Sequence, residues 1–218
     1  MRRLIICICV VATSVVLTAQ EKITEGIITS KQTMTSSNPA MKQQFEMIGD
    51  IISTTYFKGA KSRGEISNPM SGNVVGIVDA ESMSSLTLMD GPMGKKYMMT
   101  KVDNVEELMK TMSVEKTDET KTILGYECTA YDITLEQQGM QIKMKMFATD
   151  KIQPVFSGEN MALYEQVEGF PMMMTSTINQ MGTDIIITTE VTEIKQVEVS
   201  DDKFDMTIPE GYTEMKGM

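Results

Sequence analysis

A chain of 218 residues with a formal charge of −10 is long enough for one domain with a sizeable core, and its acidity disfavours phosphate backbones and anionic membrane surfaces as partners. It contains no His, which removes the commonest general base at neutral pH, the commonest zinc ligand and every Ser–His–Asp or Cys–His arrangement. Its three cysteines are too few for a four-thiolate zinc site.

Residues 1–19 read as a secretory signal: Arg2 and Arg3 give a positive start, an apolar run follows from Leu4 to Leu17, and Thr18-Ala19 offers a small-residue cleavage site. The run is too short for a comfortable membrane span. Cys7 and Cys9 lie deep inside it beside Ile6, Ile8 and Val10, as signal-core residues rather than lipidation sites. The mature chain is therefore expected to be soluble, and losing Arg2 and Arg3 takes its charge from −10 to −12. No Pro/Ser/Gly-rich linker divides residues 20–218, which read as a single domain.

Along that domain, Asn38 can cap a helix, Pro39 suits its first position, and Met41, Phe45 and Ile48 repeat at helical spacing until Gly49. Ser84 to Met89 reads as a short strand with Leu86 and Leu88 on one face, turned by Asp90-Gly91-Pro92 into Lys96 to Lys101. Asp103 opens a second helix, with Glu106 completing a capping box and Val105, Leu108, Met109 and Met112 on one face. Thr122 to Glu136 is a strand candidate with Tyr131, Ile133 and Leu135 on one face. Gln138-Gly139 turns it into Met140, Ile142, Met144 and Met146, which alternate with Gln141, Lys143 and Lys145. A further short helix is expected over Asn160 to Glu165.

The longest strand signal, Asp184 to Val199, carries Ile185, Ile187, Thr189 and Val191 on one face before the apolar phase slips to Ile194, as a bulge would make it do. At about 3.3 Å per residue it spans roughly 50 Å. A strand of that length fits a small domain only if it bends, which points to a coiled or partly rolled sheet.

Little here suggests catalysis. Gly91 and Gly94 flank a turn and lack the Lys-Ser/Thr ending of a phosphate loop. Asp201, Asp202 and Asp205 lack the spacing of a calcium loop and read as a solvated turn. Cys128, the lone cysteine of the mature chain, reads as a small core residue in a strand rather than a reactive thiol. The unusual feature is 23 methionines, including Met98-Met99 and Met172-Met173-Met174. They fit three roles: core filling, an adaptable apolar surface for varied ligands, or soft thioether ligation of Cu(I) with Met144 and Met146 adjacent on one strand face.

Thr122-Ile123-Leu124-Gly125-Tyr126-Glu127-Cys128, followed by Tyr131, resembles the central signature of small exported Gram-negative proteins grouped as a domain of unknown function. Gly169-Phe170-Pro171 and the ending Phe204-Asp205-Met206-Thr207-Ile208-Pro209-Glu210-Gly211-Tyr212 look like other motifs of that group, so the resemblance covers residues 119 to 214. Such proteins are similar to the lipoprotein-sorting carriers LolA and LppX. The resemblance implies a strongly curved antiparallel half-barrel whose concave side is plugged by helices around an apolar cavity. Relatives often carry Trp in the strand after the Cys motif, where this chain has Phe147.

The expected fold is thus α+β and mainly β, a strongly curved antiparallel half-barrel with two or three short helices on its concave face. The expected function is non-enzymatic: an exported binding or carrier protein for a lipid or other apolar ligand, periplasmic in the first instance and extracellular as the alternative, with no cofactor and no nucleic-acid partner. Val105, Leu108, Met112, Met144 and Met146 are the candidate lining residues. The alternatives are an envelope-interaction protein with a closed core and, more distantly, a Met-based Cu(I) binder.

Overall fold

The computed structural model describes residues 22–68, 72–92, 94–101, 112–137, 140–153, 166–180 and 182–215. Twelve strands form one open sheet in the order β12-β6-β5-β4-β3-β2-β1-β11-β10-β9-β8-β7. The first meander runs through β1 (Glu25–Ser36), β2 (Ile51–Lys58), β3 (Lys61–Asn68), β4 (Gly72–Asp79), β5 (Ser84–Gly91) and β6 (Gly94–Lys101). The second runs through β7 (Met112–Ile123), β8 (Tyr126–Gln137), β9 (Met140–Thr149), β10 (Phe170–Gln180) and β11 (Thr183–Lys195). β11 then pairs back onto β1, joining the meanders at the middle of the sheet. Among these strands every pairing is antiparallel except that of the two-residue β12 (Thr213–Glu214), which runs parallel to β6.

The phase slip before Ile194 is a bulge in β11: Thr29 faces Glu193 while Ser30 faces Val191. The strand stops at Lys195, short of the expected Val199. Thr122 to Glu136 is not one strand. β7 ends at Ile123, Leu124 and Gly125 turn with φ of 50° and 83°, and β8 starts at Tyr126. Two successive positive-φ residues suit the twist of a tight hairpin, and Gly125 marks the turn in the sequence.

One α-helix occurs among the described residues, α1 (Pro39–Ile48). The Asn38 side chain accepts hydrogen bonds from the Ala40 and Met41 amides at 2.9 and 3.3 Å, and the Gly49 amide closes the other end on the Phe45 carbonyl. α1 lies beside β1 and buries none of its residues fully, so it rides on the sheet rather than plugging it. The expected helices over 103–112 and 160–165 fall outside the described residues, save one correction: Met112 opens strand β7 and pairs with Leu135. Its alternation with Val114 is strand-like, and the cross-strand partner overrides the helical spacing.

Among the described residues, three apolar clusters hold the sheet. In the first, Ile77, Leu86 and Leu88 of β4 and β5 are buried beneath Met206, Ile208 and Tyr212 of the C-terminal arm. That arm follows a 3-10 turn, Asp201–Phe204, whose Phe204 is itself buried. A second cluster gathers Tyr131, Ile133, Met146, Ala148 and Val167. The third sits where strand ends meet, with Ile28, Phe57, Cys128, Ala130, Phe147 and Met172. Gly169 makes that approach possible: its φ is 114°, and a Cβ there would stand 2.1 Å from the Thr149 carbonyl oxygen.

Candidate functional site

Strand pairing in the second meander sets apolar side chains in rows. Tyr131 of β8 faces Met146 of β9, which faces Met174 of β10; two residues along, Ile133 faces Met144. Met112 and Val114 extend the same face at the edge strand, since Val114 pairs with Ile133. Register carries the face onward to Ile187 of β11 and Met34 of β1. Level with this field the opposite face is polar, where Lys145 pairs with Glu119 and Asp132 and the Thr175 and Thr188 hydroxyls meet at 3.3 Å, before it turns apolar at Ala130 and Phe147. A period-two alternation of apolar and charged residues in β9 makes both faces at once.

Burial is graded across this field. Tyr131, Ile133 and Met146 are at most 2% exposed, whereas Met112, Val114, Met144 and Met174 are half-buried. A short strap lies over the closed end. Val167 is buried in the cluster, the Tyr131 hydroxyl accepts a hydrogen bond from the Glu168 amide at 3.2 Å, and Lys116 donates to Glu168 at 2.6 Å. The Glu168 hydrogen bond, with the charge of Glu168 added, holds the Lys116 ammonium above its ordinary pKa.

Met112, Met144 and Met146 of the expected lining therefore come together in one cluster, while Val105 and Leu108 lie outside the described residues. Val114, Val167 and Met174 join them without having been singled out as lining residues. Met174 was visible only as part of a methionine run. The bulge at Pro171–Met173 decides which member of that run faces Met146, and sequence alone does not place a bulge.

Two further concavities occur among the described residues. A groove of about 520 Å³ runs over β2, β3 and β4, with Ile52, Ile66 and Val74 beside Arg63, Glu65 and Asn73. A polar hollow of about 530 Å³ surrounds Lys58, Glu198 and Asp201. There Lys58 reaches Asp201 at 2.9 Å and Glu25 at 3.7 Å, and its hydrogen bond draws the Asp201 carboxyl below its ordinary pKa. Asp205 is likewise lowered, by hydrogen bonds from Thr207, so these aspartates serve the turn they were expected to form. Among the described residues, no three His, Cys, Asp or Glu side chains gather as a metal site, and no helix is long and apolar enough to cross a membrane.

Fold and site define a β-rich domain built on one open twelve-stranded sheet, with a thioether-rich apolar field on one face. The chain belongs to the family described as "Domain of unknown function (DUF4412)", whose model matches residues 25–212. No curated protein matches it. Among solved structures it is similar to PNGF-II, with 14% identity and a TM-score of 0.45 over 86% of this chain, and it spans only 31% of that protein. It is also similar to the Mycobacterium tuberculosis lipoprotein LppX, with 8% identity and a TM-score of 0.30 over 76% of this chain and 85% of that one. Likenesses that shallow fix neither a site nor a ligand.

Proposed function

We propose that this domain is an exported, non-catalytic binding protein that holds a lipid or another apolar ligand against the thioether-rich face of β7–β10. The observation that carries this reading is the graded field itself. A closed end at Tyr131, Ile133 and Met146 anchors an outer end at Met112, Met144 and Met174 that keeps apolar surface in reach of solvent. Thioether side chains re-pack cheaply around ligands of different shape.

Chain reach supports a sheet curled round such a ligand. β6 and β7 follow one another in sequence yet stand ten strand positions apart. In a flat sheet that is about 48 Å at 4.8 Å per strand. The eleven residue steps from Lys101 to Met112 reach at most about 40 Å. Curling the sheet removes the mismatch. The signal-like start at Arg2 and Arg3 supports export, with the periplasm as the compartment.

A closed-core envelope protein is the competing reading, favoured by the full burial of Met146. Native mass spectrometry of protein purified gently from its own host, with organic extraction and titration with an uncharged apolar dye, separates the two. The binding reading expects a co-purifying apolar species or saturable dye uptake that Met144→Lys weakens about tenfold or more. Absence of both ligand and dye uptake in the wild type removes it.

A further inference from the structure

Among the described residues the methionines run from fully buried to largely exposed, and those at the exposed extreme lie outside the three apolar clusters. Met146 and Met172 are 0% exposed. Met47, Met83, Met98, Met99 and Met215 are 74%, 42%, 37%, 52% and 38% exposed. Each of the five sits where lost apolar packing costs the fold little. Met47 is on a helix that buries no residue, Met83 is in the turn between β4 and β5, and Met215 follows the last strand. Met98 and Met99 are consecutive residues of β6, so their side chains leave opposite faces of the strand. Both faces of β6 therefore carry an exposed thioether at this point.

Among the described residues these five are the most exposed thioethers. The chain has no Trp and no His. Cys128 is 0% exposed, and burial raises its pKa and so keeps it a thiol. We propose that these five solvent-facing thioethers form a sacrificial oxidation surface for hydroperoxides, independent of any apolar ligand. In each event a methionine sulfur lone pair attacks the distal peroxide oxygen. The O–O bond breaks as the S–O bond forms, the thioether is oxidised to the sulfoxide, and the departing oxygen takes a proton and leaves as water or an alcohol. The product is more polar than the thioether, which suits an exposed position and not a buried one. Sulfoxidation at these five sites therefore leaves the three apolar clusters intact.

The test is a hydrogen peroxide time course on the full mature chain, read by peptide mapping and by thermal melting of the same samples. Met47, Met83, Met98, Met99 and Met215 are expected to gain one oxygen at least about tenfold faster than Met146 and Met172, with the melting transition retained when all five are oxidised. Replacing the five by Leu should lower the peroxide consumed before unfolding. Oxidation of Met146 and Met172 at the same rate, loss of the cooperative transition as the five react, or undiminished peroxide consumption by the Leu variant each overturns the proposal. The wild-type map decides the question even if that variant does not fold.

Discussion

The methionine-rich cluster of one wing and the branched cluster of the other lie on opposite faces of the sheet and are finished differently. Register from Met174 through Thr189, Gln32 and Ile51 puts Ile66, Val74 and Met89 on the thioether side. Ile77, Leu86 and Leu88 therefore point the other way, where the C-terminal arm covers them with Met206, Ile208 and Tyr212. The β4–β5 wing closes its core with its own chain, using branched and aromatic side chains and the single thioether of Met206. In the β7–β10 wing the inner end is sealed by Val167 and Tyr131, and a half-exposed row of thioethers is left beyond it. One wing looks built for stability, the other for an adaptable surface.

The largest test of that contrast is a pair of truncations. Leu86→Ala removes a side chain that is 0% exposed from beneath the arm, and should cost about 2–5 kcal/mol in equilibrium denaturation. Met144→Ala, at the half-buried margin, should cost roughly 1 kcal/mol by the area it keeps from water, while weakening uptake of an apolar dye. Equal stability losses, or dye uptake that follows Leu86 instead, would erase the distinction between the wings.

A second test uses the thiol at the junction of strand ends. Cys128 is fully buried, and desolvation raises its pKa above the ordinary 9.0. A raised pKa contributes stability that is complete below the unfolded value and is lost as pH rises through the folded one. Lys58, Lys116 and Lys145 are raised from 10.5 by carboxylate partners and act the same way, but higher on the scale. Between 9.0 and 10.5 the wild type should lose stability with pH, and Cys128→Ala should flatten that limb. If both proteins follow one curve in urea denaturation, the thiol is not sealed.

How much of this was legible in the sequence varies with the kind of signal. The alternation through Met140–Met146 and the phase slip before Ile194 translated directly into β9 and a bulge, because both are local patterns of period two. Asn38, Pro39 and Gly49 likewise marked α1. Met112 was misplaced because residues 103–112 satisfy helical spacing, and its real partner, Leu135, lies 23 residues on. β2 and β3 gave little signal, since IISTTYFK and KSRGEISN mix polar and apolar residues on both faces. That these two clusters lie on opposite faces could not be read at all. It depends on the register of β1 against β11, which is 163 residues away at Thr192 and Thr29, and on where the C-terminal arm lands.

The smallest expected effect concerns the strap that seals the thioether wing. Tyr131 is 2% exposed, and its hydroxyl accepts the Glu168 amide hydrogen bond while its ring packs against Met146 and Val167. Tyr131→Phe keeps the ring and deletes only that acceptor, so the apolar field should survive. The lost bond is worth about 1 kcal/mol, with most of the effect falling on the strap. Hydrogen exchange at the Glu168 amide should then quicken about fivefold, while amides within β8 and β9 hold their wild-type rates. Dye uptake in Tyr131→Phe should be unchanged or slightly higher, because the strap covers the closed end of the field and not its open margin. A uniform rise in exchange across β7–β10 would mean instead that Tyr131 supports the whole wing, and that its sealed end and its open end are one unit.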